Sequence, residues 1–468
     1  MQMHFDVVIR GGLVVTAGAV RRWDVGVADG RIAALGPSLG RGDREIDAVG
    51  KYVLPGLLDV HTHPVYLDDM GNLSVSAAWG GITTLIHYAY AKPGQKLVET
   101  VEDFRAEGNE KSMLDFGLHA GLFDPQSQAE EIPSVVKLGV TSFKMFMTYA
   151  KLKWMTDDYQ LMRTLDIIAS VGGLGMVHAE NGLATDYLED KYQRLGRDPA
   201  EVFEATRPGI LEAEAVNRAI ALAQVAGCPL YIPHVSAKEA VGVIAQAKNR
   251  GWRVYGETCP QYLSLTGEEV HRQGPLAKIG PPLRGEDDQE ALWEGLAGGV
   301  LDVVASDHAP KAKGREDDFF AAAYGSPQVE TMLGVVYDRG VSEGRLTLPR
   351  LVQVMSENPA KIFGLYPRKG ALAVGSDADL VVWDPAGEQL ITQATQHSRA
   401  QYTLYEGWRC LGRPVLSMQR GEVLLEGGEL HARPGRAHFL ATRAGAVEPS
   451  ELTGKGATCQ RRQSGRSS

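Results

Sequence analysis

Between about residues 54 and 368 the chain repeats one pattern: a short apolar run, then a longer stretch whose apolar residues recur every three or four positions. The runs are Val53–Val60, Thr83–His87, Met113–His119, Thr141–Met147, Leu174–His178, Leu230–Val235, Arg253–Glu257 and Val300–Ser306. Helical spacing is clearest over Lys96–Lys111, Tyr159–Val171, Glu212–Ala226 and Lys238–Arg250. Brief apolar runs suit parallel strands buried on both faces, which only a crossover, usually a helix, can connect. Eight such units predict an α/β fold, a (β/α)8 barrel of the TIM type, with its chemistry at the C-terminal ends of the strands.

The ends of the chain read differently. Phe5–Ile9, Leu13–Thr16, Asp24–Ala28 and Arg31–Leu35 are short and strand-like, punctuated by Gly11-Gly12 and Asp29-Gly30. Both dipeptides are hairpin-turn chemistry. The same style returns after Gly370, where Asp379–Trp383 and Pro414–Arg420 are strand-like and Gly421 follows as a turn residue. Two β-rich ends around a different middle predict one small β-sandwich built from residues 1–53 and 369–440, flanking a barrel at 54–368. The Gly-, Ser- and Arg-rich stretch 441–468 is expected to be a mobile arm or to dock on a neighbouring subunit.

A chain of 468 residues, 44% apolar and 23% charged, has the material for a barrel and an accessory domain. Its net charge of -10 argues against a nucleic-acid partner, which normally demands a basic face. Cys228, Cys259, Cys410 and Cys459 are widely spaced and form no CxxC pair, which favours a reducing compartment over a disulfide framework. Met1 to Arg10 lack the pattern of a signal peptide, and no apolar run approaches the roughly 18 residues of a membrane helix. The expectation is a cytoplasmic enzyme with no membrane partner.

The distinctive polar residues fall at or near strand ends. His61 and His63 follow the first run, Lys144 lies within the fourth, His178 closes the fifth, His234 closes the sixth and Asp307 follows the eighth. A closed barrel would bring them to one rim. His61 and His63, two apart, share a strand face and form a plausible metal clamp. Any one of these histidines alone is better read as a satisfied interior side chain; the joint placement is hard to assign to packing. Lys144 inside an apolar strand must snorkel or be chemically altered, because burying an ammonium is costly. One resolution is reaction with carbon dioxide, giving an anionic carbamate able to bridge two cations.

With these residues in place, the chain resembles the dihydropyrimidinase, or hydantoinase, branch of the cyclic amidohydrolases. The resemblance runs from about residue 5 to about 430. It is carried by Gly56-Leu57-Leu58-Asp59-Val60-His61-Thr62-His63, Ser142-Phe143-Lys144-Met145-Phe146-Met147, Met176-Val177-His178-Ala179-Glu180-Asn181, His234-Val235-Ser236 and Gly256-Glu257-Thr258-Cys259-Pro260-Gln261-Tyr262-Leu263. Pro281-Pro282-Leu283-Arg284, Ser306-Asp307-His308-Ala309-Pro310 and Asn358-Pro359-Ala360 complete the ordered set.

That resemblance implies two zinc ions, or other divalent transition metals. His61, His63 and Asp307 would hold one and His178 and His234 the other, with Lys144 carbamylated (N6-carboxylysine) and a hydroxide bridging them. It implies hydrolysis of a cyclic amide, imide or ureide ring, Asp307 as the proton shuttle and Tyr149 as hydrogen-bond donor to the developing oxyanion, although Tyr149 could instead only pack at the rim. It also implies a homo-oligomer, most often a tetramer. Ring contacts are expected at Tyr149, Gly280, Tyr324 and Gly325.

The substrate-facing wording departs from that family. Gly280 stands where relatives usually carry Ser, and Tyr324-Gly325 where they usually carry Asn-Gly. Backbone recognition at these two places survives a side-chain change, but Tyr324 is far bulkier than Asn. His87 replaces a usual acid and could touch substrate, though a hydrogen-bonding role behind the site is the stronger expectation, as it is for His308. The stretch His63 to Asp69 also lacks the usual wording. Dihydroorotase is disfavoured because Val65 and Gly280 replace its carboxylate grip; allantoinase is closer through Asp307-His308-Ala309-Pro310, yet its first loop does not match. Another lactam or imide ring stays open. A non-catalytic scaffold is disfavoured because all six ligand positions are intact.

Overall fold

The computed structural model describes residues 4–453. In chain order its strands are β1 (Phe5–Val15), β2 (Val20–Ala28), β3 (Arg31–Gly36), β4 (Gly42–Asp47), β5 (Tyr52–Pro55), β6 (Leu57–Thr62), β7 (Ile82–Ala91), β8 (Asp115–Leu122) and β9 (Ser142–Phe146). There follow β10 (Leu174–His178), β11 (Leu230–Ile232), β12 (Val254–Thr258), β13 (Val303–Val304), β14 (Leu380–Ile391), β15 (Trp408–Gln419), β16 (Glu422–Glu426) and β17 (Glu429–Leu430). Strands β6 to β13 lie side by side in sequence order, all parallel. The two edges meet through one bridge, Thr62 to His308, and through the Ser306 N–H donating to the Asp59 carboxylate at 3.1 Å. The barrel is thus nearly closed, as the alternation of runs and helices predicts. Helices at Leu97–Lys111, Asp158–Ser170, Gly209–Ala226 and Lys238–Asn249 fall on the windows of three-and-four spacing.

The first apolar run is divided rather than continuous. Gly56 separates β5, which joins the sheet of end strands, from β6, the first barrel strand. A Cβ at Gly56 would stand 2.2 Å from Thr83 Oγ1, so only glycine lets the chain pass between the layers here.

Strands from both termini share one mixed sheet in the order β17-β16-β15-β14-β5-β1-β2-β3, with β4 beside β1. Val7, Ile9, Val25, Ile46, Leu380 and Met418 contribute to a separate apolar core there. The Asp29-Gly30 turn forms as expected, both residues having positive φ, and joins β2 to β3. Gly11-Gly12 does not turn the chain. Strand β1 runs straight through it, and the register against β2 shifts between Ile9 and Gly12, which is a bulge.

From Leu440 as far as residue 453 the expected arm is packed against the chain's own barrel. It crosses the N-terminal end of its own barrel: Leu440 N–H donates to Phe116 C=O, Thr442 N–H to Gly139 C=O, Arg443 N–H to Phe363 C=O and Gly445 N–H to Ile362 C=O. Leu440, Ala444 and Leu452 are buried in the barrel-interior core with Leu58, Ile86 and Met176. The rest of the arm, and Cys459, lie outside the described residues. Among the described residues no helix is long and apolar enough to cross a membrane.

Candidate metal centre and active site

His61 is on β6, His63 just beyond its end, Lys144 within β9, His178 at the end of β10, and His234 and Asp307 in the segments that follow β11 and β13. All six line one cavity of about 390 Å³ at the C-terminal rim. Ring centres of His61 and His63 are 5.1 Å apart, those of His61 and His234 5.3 Å, and those of His178 and His234 4.3 Å. One oxygen of Asp307 stands 2.9 Å from His63 Nε2 and 3.2 Å from His61 Nε2. Lys144 Nζ is 5.3 Å from the ring centre of Tyr88 and 5.5 Å from that of Phe146. His234 and Asp307 both have left-handed backbone, with φ of 43° and 51°. Such geometry is uncommon outside glycine and tends to gather at functional sites.

Carboxylates behind the histidines fix their ring orientation. Glu257, fully buried on β12, accepts from His61 Nδ1 at 2.6 Å, from the His234 N–H at 3.0 Å and from the Tyr231 hydroxyl at 2.7 Å. This directs the His61 Nε2 lone pair at the cavity. Glu180 meets His178 Nε2 at 2.7 Å and Arg207 at 3.1 Å, which leaves His178 Nδ1 for the centre. Burial pushes Glu257 up to about 8. Burial also opposes ionisation of Glu180, but Arg207 and His178 outweigh it and hold the carboxyl at about 2.

The donor set fits divalent transition metals. Three ligand groups, His61, His63 and Asp307, come within 4.8 Å of one another. Burial pushes all four imidazoles below the ordinary histidine range, which keeps them in the lone-pair form that metals need. Burial also lowers Lys144 to about 8, enlarging the neutral-amine fraction that can add carbon dioxide. The Lys144 side chain is 1% exposed and, among the described residues, has no carboxylate within ion-pair distance. An anionic carbamate bound to cations would relieve that isolation.

The four expected ring contacts line the same cavity. Tyr149 has left-handed backbone (φ 63°), and its ring centre lies 5.3 Å from that of His178 and 5.7 Å from that of Tyr324. The Tyr324 hydroxyl accepts from Arg207 at 3.0 Å, and Arg207 also lies over its ring. Gly325 has φ of 128°, and a Cβ there would stand 2.4 Å from the Ala309 carbonyl oxygen. Its N–H is already given to the Lys278 carbonyl at 3.1 Å, so only its carbonyl, which accepts from Tyr402, retains free capacity.

His87 does not reach the cavity. It is buried against Thr62, Nδ1 to Oγ1 at 2.7 Å, and burial pushes it down to about 3. Strand β7 continues to Ala91 and places Tyr90 at the mouth instead, its hydroxyl 3.2 Å from His63 Nδ1. His308 lies behind the site: Nδ1 accepts from the Gln328 and Val329 N–H groups, so Nε2 carries the proton shared with Asp68 at 3.0 Å. Sequence reasoning also passed over Glu257, Glu180, Arg207 and Lys311. Glu257 and Glu180 sit at strand ends inside segments already singled out, whereas Arg207 carries no local signal.

Comparison with known proteins agrees with this geometry. Residues 52–423 match the model of the amidohydrolase family. The chain is 41% identical to a D-hydantoinase of Ralstonia pickettii over 94% of this chain and 99% of that protein. It is 37% identical to the dihydropyrimidinase of Rattus norvegicus, over 92% and 88%. The solved dihydropyrimidinase of Brevibacillus agri superposes with a TM-score of 0.89 at 35% identity, over 93% of this chain and 98% of that one. The chain belongs to the amidohydrolase family and, within it, to the hydantoinase and dihydropyrimidinase group of cyclic amidohydrolases, enzymes acting on C–N bonds other than peptide bonds.

Proposed function

We propose that this chain opens the ring of a cyclic amide, imide or ureide at a binuclear metal centre held by His61, His63, His178, His234, Asp307 and carbamylated Lys144. The observation that carries the reading is the convergence of these six side chains, from distant parts of the sequence, on one barrel rim. Bound there, two divalent cations would supply Lewis-acid activation of a ring carbonyl and lower a water's pKa from about 15.7 towards roughly 7.

The chain's own residues would do the rest. Asp307 is held below the ordinary carboxylate range: burial opposes ionisation, but the contacts of its oxygen with His61 Nε2 at 3.2 Å and His63 Nε2 at 2.9 Å outweigh it. It can therefore accept a proton from the attacking water and pass it to the leaving ring nitrogen. Tyr149 keeps its proton, because burial raises its phenol well above the ordinary range, and so can donate to the oxygen on which charge develops. Gly280, Tyr324 and Gly325 would shape the seat of the ring. The same reading extends to a cytoplasmic homo-oligomer, a tetramer by resemblance; exposed Leu183, Tyr187 and Leu195, within or just beyond the helix Gly182–Arg194, offer apolar surface for contact between copies.

Zinc-loaded protein assayed on hydantoins, dihydrouracil, allantoin, dihydroorotate and cyclic imides, with metal analysis and light scattering in parallel, tests this. Ring opening with close to two metals per chain is the expected result. Fewer than about one metal per two chains, with no activation by zinc and bicarbonate, would sink the metal-dependent reading.

A further inference from the structure

Lys311 follows Asp307 by four residues and lines the same cavity as His63, Tyr66 and Asp307. Its amino group lies over the Tyr66 ring, and burial lowers its pKa to about 7. Among the described residues it has no carboxylate within ion-pair distance and makes no side-chain hydrogen bond. Apart from Lys144, assigned above to the metal centre, the other cations of the cavity wall are occupied. Lys151 pairs with Glu189 at 3.3 Å and Asp190 at 2.7 Å, Arg207 pairs with Glu180, and Lys278 donates to the Phe320 carbonyl at 2.8 Å. Behind Lys311, Lys313 is spent on the Lys278 and Ala323 carbonyls. The nearest acid to Lys311, Asp307, is engaged by His61 and His63. An aromatic face attracts a cation but gives it no hydrogen-bond acceptor, and burial removes the water that would provide one.

We propose that Lys311 is a substrate-binding residue that takes an anionic substituent, a carboxylate, carried by the ring this enzyme opens. The proposal rests on the hydrolase reading above and narrows its substrate class. A group close in sequence to Asp307 is well placed for a substituent next to the scissile amide. The aromatic side of the wall is unsuited to a charge: Tyr90 stacks on Phe123 and Phe123 on Trp154, with ring centres 4.9 and 4.3 Å apart. A carboxylate on the ring is excluded from that side and drawn to Lys311, which also orients the amide. The grip that Val65 and Gly280 lack would in this way be supplied from a different loop.

The test uses the zinc-loaded full chain and two rings of matched shape: hydantoin-5-acetate and its neutral amide, 5-(carbamoylmethyl)hydantoin. Lys311→Met removes the charge at similar length, and Lys311→Arg keeps it. The wild type should favour the carboxylate in kcat/KM. In Lys311→Met that preference should fall at least tenfold, chiefly through KM, while Lys311→Arg retains most of it. The neutral ring is an internal reference, so a general loss of folding or activity cancels from the ratio. A wild type blind to the charge, or a Lys311→Met that loses both rings alike, overturns the proposal. Should the wild type open neither ring, the panel above decides the hydrolase reading by itself, and calorimetric binding of the same pair decides here: charge-selective binding lost in Lys311→Met upholds the role of Lys311, and charge-blind binding ends it.

Discussion

The Tyr149 hydroxyl lies 3.0 Å from the point that a Cβ on Gly280 would occupy, and Tyr324 Cδ1 lies 3.2 Å from the same point. The space a serine side chain needs is therefore crowded by two tyrosines, which must give way by a few tenths of an ångström. Gly280 and Tyr324, the two positions that depart from the usual hydantoinase wording, are in this way one change: the ring fits because the facing side chain is absent. Gly280→Ser should leave the fold intact yet shift Tyr149 by a few tenths of an ångström, lowering kcat/KM by about 10-fold, short of the roughly 100-fold of a 1 Å misplacement. Adding Tyr324→Asn should recover part of that loss, a non-additivity typical of touching residues. Steady-state kinetics and thermal melts of the two single variants and the double variant check this; strictly additive losses would show the positions to be independent.

Asp307→Asn keeps the shape of the side chain and one donor oxygen but removes the proton acceptor. Turnover should fall by about 10²–10⁴-fold, the usual range for a general acid–base group. Metal content, measured on the same preparation, separates loss of proton transfer from loss of the ion. A variant with full metal content and undiminished kcat would take Asp307 out of proton transfer.

Treatment with a chelator should abolish turnover and lower the melting temperature, since an ion bound only by the folded chain stabilises it through mass action. Zinc should restore activity faster when bicarbonate is present, and Lys144→Ala should not show that bicarbonate effect. Mass analysis under native conditions should find one added carbon dioxide on the wild type and none on Lys144→Ala. Equal recovery in buffer stripped of carbon dioxide would argue that Lys144 acts as an unmodified amine.

The six candidate ligands were legible because position at the end of an apolar run is a local signal and barrel closure converts it into proximity. Glu257 carries the same signal, an acid at the end of Arg253–Glu257. Its partner His61 is 196 residues away, however, and only the closed barrel pairs them. Arg207 belongs to no run, so its bond to Glu180 is purely tertiary. His87 takes the hydrogen-bonding role behind the site that was its stronger expectation; what the run Thr83–His87 hides is that the strand goes on through Tyr88-Ala89-Tyr90, so that alternation hands the mouth to Tyr90. Gly11-Gly12 serves equally for a turn or a bulge. The outcome is set by long-range pairing, with β4 holding the part of β1 before the bulge and β5 the part after it.

A buried ion cluster joins the barrel to the end-strand sheet, and its response to pH can be worked out in sign. Lys369, 1% exposed, stands 2.7 Å from Asp115 at the start of β8, 2.7 Å from Asp379 just before β14 and 3.1 Å from Asp377. Arg420 also binds Asp115. Burial favours the protonated form of both carboxyls. At Asp115 the charges of Lys369 and Arg420 win and its pKa is lowered; at Asp379 burial wins and its pKa is raised. Lys369→Met removes the ammonium that Asp115, Asp377 and Asp379 share and leaves these acids buried without it, a loss on the order of 3–5 kcal/mol. Without Lys369 the Asp379 pKa should move further up, and that of Asp115 should rise from its lowered value. A carboxyl whose folded pKa exceeds its unfolded value contributes stability below the unfolded value and loses it as pH rises through the folded one. The deficit of Lys369→Met against wild type should therefore be largest near pH 8 and shrink towards pH 5, where the acids can take up protons. Denaturant melts at the two pH values measure this directly; a deficit independent of pH would mean that Lys369 acts through packing rather than through its charge.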